Sequence, residues 1–348
     1  MKLVRTNFSI HSSRINLAIA ISTLAALGLV SSSNLALAQS NAEQPAPTQP
    51  GSTSSQMSMA PSSSGPQVGQ ETFSSAAQAC HRLVFALQKD EEASLLKILG
   101  PDGKEIISSG DPAEDKNNRA QFVQKYRQMH RLVTEPDGTT TLYIGAENWP
   151  TPIPLMRKGT AWYFDTPAGK QEILYRRVGK NEMAVIQTCH ELAAAEKEYY
   201  AKPHDGAPEG QYAQKFFSDP GKQNGLYWEA SSENAASPIG PLVAVAAVES
   251  YPQPANRNLE PFQGYYFRIL KAQGSKASGG SHGYVKDGKM TAGFAFVAYP
   301  AEYRASGVMT FLVDQDGVVY QKDLGAGTAG IAKKMKSYDP DSSWQKAD

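Results

Sequence analysis

The sequence predicts an α+β fold of two lobes, each an antiparallel β-meander packed against helices. Apolar residues spaced by three and four precede each group of strands, which is typical of amphipathic helices. Period-two apolar runs separated by Asp-Gly turns follow them, and no regular alternation of strand and helix indicates a parallel sheet. We expect a signal peptide over residues 1–38, a disordered linker over 39–70, a first lobe over 71–178 and a second over 179–348.

The first 38 residues have the three parts of a secretory signal. The segment has no acidic residue and three basic ones, Lys2, Arg5 and Arg14. An apolar run over 17–30 follows, and a small-x-small pattern ends at Ala38. We predict cleavage between Ala38 and Gln39, which makes the protein periplasmic or secreted and leaves no membrane span. The alternative is an uncleaved anchor, although the run is shorter than the roughly 20 residues that cross a bilayer.

The segment 39–70 is rich in Ser, Pro and Gln and contains one charged residue, Glu43. It has almost no large apolar side chains, so it cannot bury enough surface to offset chain entropy, and we expect disorder. Such a linker serves as a tether for the folded part or, alternatively, as a partner-binding tail.

Charge and composition exclude one class of partner. The chain has 34 basic and 34 acidic residues, and removal of the signal peptide takes away three basic ones, leaving 31 against 34. A net charge near −3 is unlike that of a nucleic-acid-binding protein, which needs a clustered basic surface. We therefore expect no nucleic-acid partner.

In the first lobe, the apolar spacing predicts three helices, over residues 72 or 74 to 87, 91–99 and 117–130. Four strands follow as a meander, over 131–135, 139–145, 153–157 and 161–165. Pro150, Pro152 and Pro154 place the third strand at a sheet edge, where a missing N–H does little harm.

In the second lobe, an amphipathic, alanine-rich pattern predicts a long helix over 181–200, and short helices follow at 210–217 and 241–248. The strands of an antiparallel sheet are expected at 265–270, 283–286, 290–299, 308–313 and 318–322. Asp287-Gly288 and Asp316-Gly317 are strong hairpin signals, because both central residues of a type I′ turn need positive φ.

The two cysteines predict one disulfide, Cys80 to Cys189, in an oxidising compartment. Closing a loop of about 110 residues would stabilise the fold by roughly 4 to 5 kcal/mol in the chain-entropy model. Free buried thiols are an alternative. A Cys2His2 metal site with His81 and His190 is another, but adjacent residues on a helix point about 100° apart and lack zinc-ligand spacing. We predict no metal and no cofactor.

Residues 279–283 match G-x-S-x-G around Ser281, but a nucleophile elbow needs a strand before the serine and a helix after it. A Gly/Ser loop and a hairpin surround this serine instead, so enzymatic activity is uncertain and the absence of a catalytic site is favoured. The alternative is a hydrolase with a dispersed site, using Ser281, Glu302 or Asp323. Five aromatic residues are candidates to face a ligand, although packing in a core or at a sheet edge is the favoured interpretation: Trp149, Tyr227, Trp228, Tyr265 and Tyr266.

Several sequence blocks are distinctive. In the second lobe they are Pro261-Phe-x-Gly-Tyr-Tyr-Phe-Arg-Ile-Leu-Lys-Ala-Gln-Gly274, Gly293-Phe-Ala-x-Val-Ala-Tyr-Pro-Ala-Glu-Tyr303 and Ser306-Gly-Val-Met-Thr-Phe-x-Val-Asp-x-Asp-Gly-Val-Val-Tyr-x-Lys-Asp-Leu-Gly325. In the first lobe they are Ser108-Ser-Gly-Asp-Pro112, Trp149-Pro-x-Pro-Ile-Pro154, Trp162-x-Phe-Asp-Thr166 and Glu172-Ile-Leu-x-Arg-Arg177. These blocks resemble the exported bacterial proteins grouped as domain-of-unknown-function family 2950, and the resemblance covers nearly all of 73–344. It implies an exported protein and brings no catalytic residues.

The helix over 181–200, followed by a meander that includes 313–320, also resembles the headpiece of type IV pilin-like proteins. The chain lacks the Gly-Phe cleavage site and the apolar helix with an early Glu that pilin assembly requires. Taken together, the sequence predicts a non-enzymatic protein of the cell envelope that binds an unknown envelope protein or surface polymer. The alternative function is an envelope hydrolase.

Overall fold

The computed structural model describes residues 65–108, 111–229, 236–248 and 259–347. The predicted signal peptide, its cleavage site and residues 39–64 of the predicted linker lie outside the described residues. The chain divides into two compact units, residues 1–174 and 175–348, whereas we predicted the boundary after residue 178. Helices and antiparallel sheets confirm the α+β class.

The helices of the first unit are α1 (Ala76–Lys89), α2 (Glu92–Leu99), α3 (Lys104–Ile107) and α4 (Pro112–Gln128). The side chain of Ser75 caps α1 by accepting from the N–H of Gln78 at 3.1 Å. The helix ends at Asp90, whose φ of 57° is left-handed and stops the helical hydrogen bonding.

Helix α4 begins five positions before the start that we predicted at residue 117. One carboxylate oxygen of Asp111 accepts from the N–H groups of Ala113 at 2.9 Å and Glu114 at 3.1 Å. Pro112 is the first helical residue, where its missing N–H has no cost. Asp111 and Pro112 therefore form the start of this helix.

The sheet of the first unit contains β1 (His130–Thr134), β2 (Thr140–Ile144), β3 (Trp149–Pro150), β4 (Leu155–Lys158) and β5 (Ala161–Phe164). The strand order is β1-β2-β4-β5, with β3 on β2. The predicted edge position of the third strand is wrong, because β4 lies between β2 and β5. Pro152 and Pro154 precede β4, so neither removes a hydrogen bond from its ladder.

The last residues of the predicted linker belong to the folded part. The buried side-chain amide of Gln70 donates to the carbonyls of Ile98 at 3.1 Å and Phe164 at 2.8 Å. These two bonds connect the segment to α2 and β5. The prediction of disorder is therefore wrong for residues 65–70, since a polar side chain finds buried acceptors there.

The remaining helices are α5 (Thr166–Tyr200), α6 (Pro241–Val245) and α7 (Thr328–Lys334). Helix α5 begins earlier than the predicted residue 181 and covers the boundary between the units. The helix predicted over 210–217 is wrong. Isolated β-bridges instead connect that segment to other parts of the unit, Tyr212 to Met290 and Phe217 to Tyr227. No helix among the described residues has both the length and the apolar character needed to cross a membrane.

The main sheet of the second unit has β6 (Tyr265–Leu270), β11 (Ala295–Pro300), β12 (Met309–Asp314), β13 (Tyr320–Asp323) and β14 (Gln345–Lys346) in the order β14-β13-β12-β11-β6. Short pairs accompany it: β7 (Ala272–Gln273) with β8 (His282–Gly283), and β9 (Val285–Lys286) with β10 (Lys289–Met290). All neighbouring strands are antiparallel. Every residue of β11 is buried, so this strand forms the centre of the core.

The two Asp-Gly hairpins differ in their turns. Asp287 and Gly288 have φ of 49° and 77°, which confirms the expected type I′ geometry between β9 and β10. In the connection from β12 to β13, Gly317 has φ of 81° and Asp316 is not left-handed. There the carboxylate of Asp314 accepts from the N–H of Asp316 at 3.0 Å, and this local bond sets a different turn.

Candidate functional site

An open cavity of about 340 Å³ lies between α1 and α4 in the first unit. This volume falls in the range of small ligand pockets, about 300–1,000 Å³. From α1 and its C-cap, the groove is lined by Leu87, Gln88 and Asp90. From α4 it is lined by Lys116, Arg119, Ala120, Val123, Gln124 and Arg127. We call this cavity the α1–α4 groove.

The sequence of α4 places these side chains along one face. Residues three and four apart on a helix are neighbours on its surface, so Lys116, Ala120, Val123 and Arg127 form a continuous row. Phe122 and Tyr126 belong to the buried face of the same helix. The groove row is therefore the part of α4 that borders its core-facing side.

Arg119 forms a fixed wall of the groove. Its side chain is only 11% exposed and forms an ion pair with Asp90, and its Nη2 donates to the carbonyl of Ile107 at 2.9 Å. Its Nε is buried and has no hydrogen-bond partner among the described residues. The Asp90 carboxylate compensates most of this charge, so Arg119 is better placed to hold the groove's shape than to attract a ligand from solvent.

Lys116 and Arg127 supply the uncompensated charge. Both are exposed, and neither forms an ion pair within the part of the chain that the structure describes. Lys125, on the same helix, instead pairs with Glu147 at 3.1 Å. With three cationic side chains and one carboxylate, the groove lining carries a net charge of +2. It therefore offers a local positive potential on a chain whose predicted mature form is slightly acidic.

The floor of the groove between these charges is apolar. Leu87 and Val123 are buried beneath it, and the small, exposed side chain of Ala120 lies on the surface. A ligand can approach the α4 backbone closely at Ala120. The groove thus combines a shallow apolar centre with free cations in its wall.

Three of the five candidate ligand-facing aromatic residues belong to hydrophobic cores. Trp149, Trp228 and Tyr265 are 5%, 8% and 0% exposed. The interpretation of these three as ligand-facing is thereby corrected, because their large apolar surfaces are covered by neighbouring core residues. Tyr227 and Tyr266 are partly exposed, and each has a ring neighbour, Phe217 and Tyr299 respectively.

The two predicted disulfide partners are free, buried thiols in the structure. Cys80 lies in the core of the first unit and Cys189 in that of the second. Burial raises the pKa of each thiol to about 12, so both are kept in the unreactive protonated form. Their pairing stays a prediction. Among the described residues, no group of three or more His, Cys, Asp and Glu side chains is placed to hold a metal ion.

The three residues proposed for a hydrolase occupy turns and strand ends of the second unit. Ser281 directly precedes the two-residue strand β8, so a strand follows it where a nucleophile elbow has a helix. The carboxylate of Asp323 accepts from the Tyr303 hydroxyl at 3.0 Å and the Gly325 N–H at 2.7 Å. Glu302 lies in the turn after β11, where its carbonyl accepts from Ser306.

Sequence reasoning missed the groove for a physical reason. The spacing of Lys116, Ala120, Val123 and Arg127 was a local signal, but a charged row on a helix normally faces solvent. This row of α4 lines a groove only because α1 packs beside α4. The left-handed Asp90 at the end of α1 also places its own carboxylate against Arg119. These contacts join residues that are far apart in the sequence.

A family model described as a protein of unknown function, DUF2950, matches residues 70–347. The chain therefore belongs to this family, as the sequence blocks indicated. No curated protein and no solved structure matches the chain.

Proposed function

We propose that this member of the DUF2950 family is an exported, non-enzymatic binding protein of the cell envelope, and that the α1–α4 groove is its binding site. The ligand is an envelope protein or a surface polymer. The predicted signal peptide and linker support an envelope location, since they provide export and a tether for the folded part.

The observation that carries this proposal is the pair of free cations in a groove of ligand size. Lys116 and Arg127 have no compensating carboxylate among the described residues, although another cation of α4 is paired. An uncompensated charge beside an apolar floor is favourable mainly when a partner of opposite charge binds.

The composition of the groove supports binding rather than catalysis. Its lining contains no serine, cysteine or histidine, and its one carboxylate, Asp90, is engaged by Arg119. A nucleophile and a general base within hydrogen-bond reach of each other are the usual minimum for hydrolysis. These nine side chains bind and position a ligand without providing that pair.

Photo-crosslinking in the native organism tests the proposal. A benzoylphenylalanine at position 120 places the reactive group in the groove, and one at position 121 is the matched control, because Gln121 is exposed on α4 outside the groove. We expect a discrete adduct from position 120 only. Equal adducts from both positions, or none from position 120, would contradict the proposed site.

A second measurement separates binding from hydrolysis. We expect a fluorophosphonate probe to leave the purified protein unlabelled, because the loop around Ser281 lacks the helix N-terminus that helps to form an oxyanion hole. Stoichiometric labelling of Ser281 would favour the hydrolase instead.

A further inference from the structure

We propose that the partner bound in the α1–α4 groove is an amphipathic helix of another protein, with acidic side chains about three helical turns apart and a small apolar stripe between them. This inference rests on the proposed function and specifies the class of ligand. It follows from the shape of the groove, the spacing of its free cations and the nature of its floor.

The shape favours a helix. The groove runs along α4 from Lys116 to Arg127 and is bordered by the last turn and the C-cap of α1, which packs against α4. A partner helix can pack along α4 beside the end of α1, because the side-chain ridges of one helix fit between the side-chain rows of another. Amphipathic helices commonly bind in such grooves through residues spaced by three and four.

The charges give the partner helix its pattern. Lys116 and Arg127 are 11 positions apart on α4, which corresponds to about 16 Å along the axis at 1.5 Å per residue. A partner helix lying along α4 reaches both cations with carboxylates that are also about 11 positions apart. Arg119 lies between them and is already paired with Asp90, so the partner helix needs no carboxylate for it.

The apolar floor of the groove determines which side chains suit the middle of the partner helix. The exposed Ala120 allows close approach, and Leu87 and Val123 close the groove beneath it. Small or medium apolar side chains suit this shallow centre better than large aromatic ones. The exposed amides of Gln88 and Gln124 line the same groove and can satisfy polar groups at its rim.

The same observations argue against a polyanionic polymer. A polymer with regularly repeated anionic groups gains affinity by neutralising many charges along a continuous basic surface. This groove offers two free cations separated by three helical turns, with an ion pair between them. The spacing matches two discrete carboxylates rather than a dense row of anions.

The direct test uses a synthetic, end-capped, 18-residue alanine-based helix with two glutamates 11 positions apart and leucines on the same face between them. Its binding is measured by fluorescence anisotropy on the full mature protein. The first control peptide has both glutamates replaced by glutamine, and the second has them four positions apart. We expect the 11-spaced acidic peptide to bind about tenfold more tightly than either control at low salt, with the difference decreasing as salt rises.

On the protein side, the double variant Lys116→Gln/Arg127→Gln is compared with Lys97→Gln, an exposed lysine of α2 outside the groove. Circular dichroism of each variant checks that it is folded. We expect the double variant to lose the tenfold preference for the acidic peptide and Lys97→Gln to retain it. Equal binding of acidic and neutral peptides to the native protein would overturn the inference, as would an unchanged preference in the double variant.

The experiments distinguish failure of the helical-ligand inference from failure of the proposed function. A partner crosslinked from position 120, together with no preference for the acidic peptide, rejects the helical ligand and leaves the groove as a binding site. A crosslinked adduct that proves to be a glycan or a lipid also rejects it. The absence of any crosslink from position 120 rejects the proposed site itself.

Discussion

The carboxylate of Glu182 organises the turn before β12 in the second unit. One of its oxygens accepts from the N–H groups of Val308 at 2.8 Å and Met309 at 3.0 Å. We expect Glu182→Ala to lower the free energy of unfolding by about 2 kcal/mol, because two part-buried donors lose a charged acceptor. Urea denaturation measures the loss.

Two variants distinguish this bond from a general effect of removing charge from α5. Glu182→Gln keeps an acceptor oxygen and should recover most of the lost stability. Glu191→Ala removes an exposed carboxylate of the same helix and should change stability by less than about 0.5 kcal/mol. A similar loss in Glu191→Ala would show that the helix, rather than the turn, is responsible.

Glu196 predicts a pH dependence of stability. Its side chain is fully buried, and burial raises the pKa of its carboxyl well above the ordinary value of 4.5, opposed only in part by the hydrogen bond from the Ala213 N–H. The folded state therefore holds this proton more tightly than the unfolded chain does. Its contribution is complete below the unfolded pKa and is lost as pH rises towards the folded pKa.

The variant Glu196→Gln cannot ionise, so its melting temperature relative to that of the native protein should rise as pH increases above about 4.5. Thermal melts from pH 4 to pH 8 measure this difference. Glu198→Gln is the control for loss of an exposed carboxylate of α5, one that pairs with Lys202 at 2.7 Å. Parallel curves for Glu196→Gln and the native protein would contradict the proposed burial of a neutral carboxyl.

The two thiols give a third prediction at this scale. Since burial raises the pKa of the free Cys80 and Cys189 thiols to about 12, a thiol reagent should not modify the reduced, native protein at pH 8. Rapid modification of either residue in the native state would contradict this burial. Non-reducing peptide mapping of protein made in the periplasm separately tests the predicted disulfide, which requires a cross-linked Cys80–Cys189 peptide pair.

At the scale of elements, a glycine fixes how the turn before β12 packs on β6. A Cβ at Gly307 would overlap the hydroxyl and ring of Tyr265, which is fully buried and donates to the Met309 carbonyl at 3.0 Å. We expect Gly307→Ala to destabilise the protein by about 1–3 kcal/mol through overpacking. Gly330→Ala is the control, because a Cβ at this exposed position of α7 meets no atom within 4 Å.

In the helical interior of α7, alanine should stabilise by about 0.5–1 kcal/mol relative to glycine. The two substitutions thus have opposite expected signs, and chemical denaturation resolves them. Loss of stability in both variants would indicate that added side-chain volume is not the cause at Gly307.

Elements stabilised by local chemistry were predictable, and elements that depend on distant partners were not. The Asp287-Gly288 turn follows from the backbone freedom of two residues and was confirmed. The segment 210–217 has a helical pattern, but its hydrogen bonds reach Met290 and Tyr227, so tertiary pairing overrides propensity. The prolines before β4 were misjudged because strand order in a sheet is not encoded in any one strand.

At the scale of the whole molecule, the class, the family and the presence of two units were within reach of the sequence, whereas the groove was not. The family blocks and apolar periods cover long stretches and tolerate errors at their ends. The groove depends on the side-by-side packing of two helices and on the Arg119–Asp90 pair. The resemblance to pilin headpieces stays a prediction, since no solved structure matches the chain.

The mature protein is expected to begin at Gln39, and this prediction decides in which compartment the groove works. The basic start, the apolar run over 17–30 and the small residues Ala36 and Ala38 together predict cleavage by signal peptidase after Ala38. Intact mass of the exported protein should match residues 39–348. The double variant Ala36→Arg/Ala38→Arg places large charges at the two positions that the peptidase requires to be small, so it should retain the signal and accumulate as the heavier precursor. An exported native protein that keeps residues before Ala36 would show that the segment is an anchor, and the partner of the groove would then have to be sought at the membrane surface.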